Sequence, residues 1–327
     1  MESKDVIAHI KSAHEEILTE VKKVIVGQED VIEQIIISIL AGGHTLLLGV
    51  PGLGKTLLVK TIAQIFDLDF SRIQFTPDLM PADIFGSELV EEDPVTGKRS
   101  FRFCKGPIFA NIVLADELNR TPPKTQSALL EAMGEGQVTA GGKTRILPKP
   151  FFVLATQNPI ELEGTYPIPE ASLDRFLLNV VLDYLPMEQE EAMVAATTSP
   201  QSAEVKAVFN SEEVEKMQGL VKEVAISKDI INYVVRLITA TRPESPLAPD
   251  FIQKNIKWGA GSRASQALVI TAKARAILYG RYHVSVEDIQ ALALPVLRHR
   301  IITNFHAEAD NISTDQLIQQ LLDSVKA

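Results

Sequence analysis

Cysteine is almost absent from this 327-residue chain, where Cys104 stands alone. A single cysteine excludes an internal disulfide and fits a reducing compartment, so a cytoplasmic location is expected. It precedes Lys105, which would favour the thiolate, but a passive small apolar residue is the plainer reading. Long apolar runs are missing as well. Gly42, Gly43 and His44 interrupt the longest, leaving it short of the ~20 residues that span a bilayer. The mixed-charge start MESKDVIAHIKSAHEE has no apolar secretory core. Nor is there an excess of positive charge. The net charge is −10, which argues against sequence-independent binding of duplex DNA, where Lys and Arg must neutralise phosphates. The six histidines are scattered, and none has zinc spacing with a cysteine. Internal repeats and low-complexity segments are absent. With 46% hydrophobic and 23% charged residues, the chain has the balance of a globular protein long enough for two domains.

What the chain has is Gly49-Val50-Pro51-Gly52-Leu53-Gly54-Lys55-Thr56, which fits the phosphate-loop pattern G-x-x-x-x-G-K-[ST] at every fixed position. His44–Leu48 before it reads as a buried strand, and Leu57–Phe66 after it as a helix. The chemistry requires that order. The glycines let backbone N–H groups turn around phosphate oxygens, and the helix N-terminus adds partial positive charge. Lys55 would reach the β- and γ-phosphates, and the Thr56 hydroxyl would ligate Mg²⁺; Leu57 completes the binding segment. A nucleoside triphosphate is the expected ligand.

Further strands are expected at Phe70–Phe75, Ile112–Asp116, Phe151–Gln157 and Leu177–Asp183, each a short apolar run ending in a polar residue or turn. Helical patterns lie between them, as at Pro123–Met133, with Thr121 as cap, Pro122 in the first turn and Gly134 as terminator. Alternating strands and helices imply a mainly parallel sheet. Leu89–Phe103, with the turn Asp93–Gly97, and Gly136–Leu147, with Gly141-Gly142, look like projecting hairpins, the alternative being surface loops. From about Pro186 the strand signals stop. Ser211–Val224, Ser227–Thr239, Arg263–Leu278, Ser285–Arg298 and Ser313–Val325 read as helices. Ser285 with Asp288 and Ser313 with Gln316 have capping-box spacing, Gly280 is a stop, and Pro295 should kink or end its helix. The turn-rich Thr197–Ser202 reads as a linker.

Ile112–Glu117 delivers two adjacent carboxylates to a strand's C-terminal edge, where ligands sit in open α/β sheets. Asp116 would hold Mg²⁺ directly or through water, and Glu117 would polarise the attacking water. Neighbouring side chains point differently along a strand, so two acids can take two roles. Asn158, or alternatively Gln157, ends the Phe151 strand, where it would orient that water or touch the γ-phosphate; an ordinary turn before Pro159 is the other reading. Arg175, just before the last strand, and Arg263, at a helix start, are candidates for the positive charge that phosphoryl transfer needs, or else salt-bridge arginines.

With these residues in place the chain resembles an AAA+ ATPase, and within that class the MoxR family. The specific text is ADELNRTPPKTQSALLEAMGEGQVT from Ala115 to Thr139, then ATQNP, then EGTYPIPEASLDRF from Glu163 to Phe176. The resemblance implies an α/β phosphate-loop core, spanning 1–187, with a mainly parallel five-stranded sheet. A linker over 188–210 and an all-α lid over 211–327 would follow. It implies that Val26-Gly27-Gln28 lines the adenine pocket and that Gly49–Thr56 is Walker A. Asp116 and Glu117 would end Walker B, Asn158 would be sensor 1 and Arg263 sensor 2. Arg175 would be the arginine finger that enters a neighbouring subunit's site, with Arg120 near that interface. Many relatives read GASPRA where this chain has GAGSRA, so Gly261-Ser262 gives a looser start to the Arg263 helix. The family forms rings, typically hexamers, that hydrolyse ATP with Mg²⁺. These act as chaperone-like remodellers of protein complexes, often with a von Willebrand factor A-domain partner. Competing readings are a nucleic-acid motor, for which the 136–147 hairpin offers only Lys143 and Arg145, a magnesium-chelatase-like ATPase subunit, and a binding switch that barely hydrolyses. Glu117 speaks against the switch.

Overall fold

The computed structural model of the protein describes residues 14–92, 99–158, 164–198 and 204–326. The chain runs through helical residues 14–22 (α1), Glu29–Leu40 (α2), His44–Leu48 (β1), Lys55–Ile65 (α3), Phe70–Gln74 (β2) and Pro81–Phe85 (α4). Gly86–Glu92 (β3), Arg99–Lys105 (β4), Ile112–Asp116 (β5), Pro123–Glu135 (α5), Gln137–Ala140 (β6), Lys143–Ile146 (β7) and Phe152–Gln157 (β8) come next. Glu170–Leu173 (α6), Phe176–Val181 (β9), Met187–Thr197 (α7), Ser211–Glu223 (α8), Lys228–Ala240 (α9) and Asp250–Asn255 (α10) lead into the last third. That part holds Ile256–Trp258 (β10), Ser262–Leu278 (α11), Val286–Leu297 (α12), Ile302–Thr303 (β11), Phe305–Ala309 (α13) and Thr314–Ser324 (α14).

Five strands form one parallel sheet in the order β2-β5-β8-β1-β9. Strict alternation sends Leu47, Leu114 and Leu154 to one face and Leu46, Val113 and Val153 to the other. Both faces are covered, as an all-parallel sheet requires. The Leu47 face is packed by Ile36 of α2 and Ile62 of α3, and the same apolar cluster continues into Leu237 of α9, Leu268 of α11 and Val296 of α12. The helical last third therefore shares a core with one side of the sheet. Each such fully buried side chain contributes about 1.5–3 kcal/mol. The other face is closed by Leu129 and Leu130 of α5.

The two expected hairpins are present as β3–β4 and β6–β7. The Asp93–Gly97 turn lies outside the described residues. The hairpins lean on each other: the Arg145 guanidinium stacks on the Phe103 ring at 3.5 Å, and a side chain at Gly141 would run into Glu88.

Four local readings are corrected. Thr121 does not cap α5; Pro122 occupies the cap position, and Pro123 opens the helix because its missing N–H would have no partner there anyway. The helix passes Gly134 and stops at Gly136, which takes φ 62 and donates its N–H to Ala132. Gly134 is helical, and its open face lets the Arg175 side chain approach. Part of the segment read as linker is helix α7. Its exposed surface has no apolar periodicity to betray it, and none of its residues is buried. The helix with Pro295 continues to Leu297, where it ends. The stop at Gly280 is a Schellman turn, with Gly280 and Arg281 N–H groups bonded to Ile277 and Ala276.

His44, at the start of β1, uses both ring nitrogens on backbone. Nδ1 accepts from the Val153 N–H at 3.0 Å and Nε2 faces the Met133 carbonyl at 3.1 Å, so the neutral ring is the one that fits. Burial pushes its pKa from 6.5 down to about 4, partly offset by the Met133 carbonyl. The unfolded ring takes a proton below about pH 6.5 while the folded one resists it, so acidification through that window favours unfolding. The expected cost is on the order of 2–3 kcal/mol by about pH 4. Urea unfolding of the parent and of His44→Gln should show a shallower acid loss in the variant. Equal slopes would rule the ring out as the titrating group.

Candidate functional site

At the C-terminal edge of the sheet, β1 ends and the chain turns through Gly49–Gly54 into α3. Gly52 and Gly54 take φ 87 and 74, left-handed geometry that glycine adopts without strain. At Gly49 the reason is space, since a Cβ would sit 2.9 Å from the Leu182 carbonyl oxygen. The first intrahelical bond of α3 is donated by Leu58 to Gly54 at 2.9 Å. The earlier N–H groups therefore point out of the helix end, an anion cradle with the positive end of the helix dipole behind it. Lys55 reaches back to donate to the Gly49 carbonyl. Burial lowers its pKa, against the pull of Asp116 and Glu117, so the ammonium lies within the field of both carboxylates.

Those carboxylates arrive from β5, two strands away. Thr156 on β8 ties them together: its hydroxyl donates to Asp116 Oδ1 at 2.6 Å and accepts the Glu117 N–H at 2.8 Å. Glu117 sits at φ 58, a left-handed position that turns its side chain away from that of Asp116. Arg72 on the neighbouring β2 donates to Asp116 Oδ2 at 3.1 and 2.6 Å. Gln74 and Arg120 donate to Glu117 Oε2 at 2.7 and 2.9 Å. Asn158 follows β8, is 5% exposed, and lies beside the start of the loop, where the Gly49 N–H bonds the Gln157 carbonyl at 3.4 Å. Lys55, Thr56, Asp116, Glu117 and Asn158 are thus gathered at one edge. The hydroxyl of Thr56 and the Asp116 carboxylate are hard oxygen donors. They fit Mg²⁺, which takes few protein ligands and fills its shell with water and phosphate oxygens.

Val26 and Gln28 also converge on the loop. Together with Leu53, Leu57 and Met193 of α7 they line a cavity of about 340 Å³. Gly27 lies beside it at φ 70.

Arg175 and Arg263 are elsewhere. Arg175 donates to the Leu130 carbonyl, and Arg263 is 3.6 Å from Asp174, which is also held by Arg300 at 2.7 Å. Asp174 and Arg175 precede β9, whose Phe176 pairs with His44 at the opposite end of β1 from the loop. With β1 five residues long, the arginine cluster is about 13 Å from the phosphate loop of its own chain. This placement leaves Arg263, expected as sensor 2, beside Asp174 and away from the phosphate loop of its own chain. The reason is that the helical region docks on the Leu47 face of the sheet, which carries the start of α11 to the edge that begins β1. Arg120, expected near an interface, is engaged with Glu117 of its own chain. Thr156, Arg72 and Gln74 were not singled out from sequence. Only their strand positions reveal them: Gln74 is level with Asp116, Arg72 with Leu114, and Thr156 follows Ala155, the partner of Ala115.

The model of the ATPase family associated with various cellular activities (AAA) matches residues 44–178, and that of the AAA lid domain matches 251–321. The chain is 40% identical to Chaperone MoxR1 of Mycobacterium tuberculosis, covering 95% of this chain and 81% of the relative. It is 31% identical to Protein MoxR of Paracoccus denitrificans, covering 93% and 92%. A crystal structure of a candidate ATPase from Cytophaga hutchinsonii superposes with a TM-score of 0.92 at 43% identity, covering 99% of this chain and 97% of that one. No helix among the described residues is long and apolar enough to cross a membrane.

Proposed function

Because the chain belongs to the MoxR family of AAA ATPases, we propose that it hydrolyses ATP with Mg²⁺ in a ring of identical chains, each completing its neighbour's site. The observation that carries the reading is the division of labour along β1. The loop, Asp116 and Glu117 stand at one end and Arg175 with Arg263 at the other. A γ-phosphate needs added positive charge as it is transferred, and in this chain that charge lies too far away to act internally. A neighbour that presents its arginine edge to the loop supplies it. Arg263 becomes a sensor for the adjacent subunit, alongside the Arg175 finger.

Within the site, the α3 N-terminus and Lys55 bind the phosphates. Thr56 and Asp116 would hold Mg²⁺, which neutralises charge on the phosphate oxygens. Glu117 takes the proton of the attacking water, Asn158 orients that water, and Thr156 fixes the angle between the two acids. Residues 1–187 form the nucleotide core, and 211–327 form the lid. Val90 and Phe101, directly opposed on the β3–β4 hairpin, are 57% and 75% exposed. An apolar surface of this kind suits a protein client better than a nucleic acid, and one of the two cations of the β6–β7 hairpin, Arg145, is already stacked on Phe103. A chaperone-like remodeller of protein complexes in the cytoplasm, working as a hexamer with a von Willebrand factor A-domain partner, is the reading adopted.

Lys55→Ala tests the site directly. ATP affinity should fall by about 10–100-fold, the scale for losing a charge-assisted contact to phosphate. Phosphate release by the parent should need Mg²⁺ and rise faster than linearly with protein concentration. Full affinity in the variant, measured by equilibrium titration, would remove the loop from the site.

A further inference from the structure

The cavity beside the phosphate loop has a wall that the site as described does not use. Helix α7 contributes Glu190, Met193 and Thr197 to it. Steps of three and four residues put these on one helical face. The helix itself is poorly anchored: none of its residues is buried, and eleven residues do not form a stable helix alone in water. What it rests on is the adjoining segment, because a side chain at Gly27 would run into Gln189 and Leu185. The opposite wall is apolar, with Val26, Leu53 and a 44% exposed Leu57. A flat base has the shape and polarity for the space between.

The polar groups of α7 differ in what they can read. The Thr197 hydroxyl is committed to the Met193 and Val194 carbonyls. Among the described residues, the Glu190 carboxylate has neither a cation nor a hydrogen-bond donor against it. Ionised, it accepts and never donates. Gln28, across the cavity, can do both and so discriminates less.

We propose that α7 is the base-reading element of the nucleotide site, with Met193 covering the face of an adenine and Glu190 accepting from its exocyclic amino group. The proposal rests on the triphosphate site described above. A carboxylate at that edge favours a base with an amino group and repels one with a carbonyl in its place. A site that must hydrogen-bond its ligand rejects analogues lacking the donor.

The test is equilibrium binding of ATP and ITP to the full chain, since hypoxanthine has a carbonyl where adenine has its amino group. The parent should prefer ATP by about tenfold or more. Glu190→Ala should weaken ATP about tenfold, leave ITP within about twofold, and so erase the preference. Met193→Ala should weaken both nucleotides alike. Both variants change an exposed helix, so folding is not at stake. Amide exchange over 187–197 should slow with ATP more than with ITP. Equal binding of both nucleotides by the parent, or an equal loss of both in Glu190→Ala, overturns the proposal. A parent that binds neither, or a Lys55→Ala chain that binds as well as the parent, overturns the triphosphate site itself and this proposal with it.

Discussion

Arg175→Ala should lower ATP turnover by about 10³-fold while leaving nucleotide binding to the same chain unchanged. The two effects separate because the arginine stands beyond the far end of β1 from the phosphate loop of its own chain. A contact made only as charge shifts onto the γ-phosphate acts on the rate and not on ground-state affinity. The decisive measurement is a mixture. Arg175→Ala chains keep a complete phosphate loop, and Lys55→Ala chains keep the arginine. Each is inactive alone, yet wherever the first presents its loop to the second, an intact site forms. Turnover should therefore reappear on mixing two inactive proteins. Arg175 is exposed and its side chain donates to the Leu130 carbonyl, so thermal stability should change little. A mixture that assembles and stays inactive would confine the site to one chain.

Glu117→Gln should reduce turnover by about 10²–10⁴-fold with ATP binding retained, the range expected when a general base is lost. Glutamine keeps the size of the side chain and can still accept from Gln74 and Arg120, which now hold the carboxylate. It cannot take the proton of a water. Thr156→Val separates position from chemistry: both bonds to the acid pair disappear, so kcat should fall without moving the pH dependence that Glu117 sets. Equal, near-zero turnover in Glu117→Gln and the parent would favour a nucleotide-binding switch.

Much of this was legible in the residues. The loop, the paired acids and the strand runs are contiguous text, and contiguous text carries the period of a buried strand. Arg72, Gln74 and Thr156 were not legible because each meets the acids across the sheet, and the order β2-β5-β8 is a property of chain crossing. Helix α7 escaped notice because no face of it enters a core. For Arg263 the sequence named a residue and no location. Its motif names the helix start, but the packing of Leu237, Leu268 and Val296 on the sheet decides which edge that start reaches. Gly134 was read as a stop because nothing local distinguishes it from Gly136; the difference is that only Gly136 takes the left-handed φ of 62 that ends the helix.

The short β1 strand has one more consequence. Its two ends differ chemically, so any contact that joins the end of one chain to the beginning of the next has a direction, like a line of people each holding the shoulder of the person ahead. Such a line has no mirror and no natural stopping point. It closes only if the turn from one member to the next divides a full circle, and otherwise it winds into a spiral.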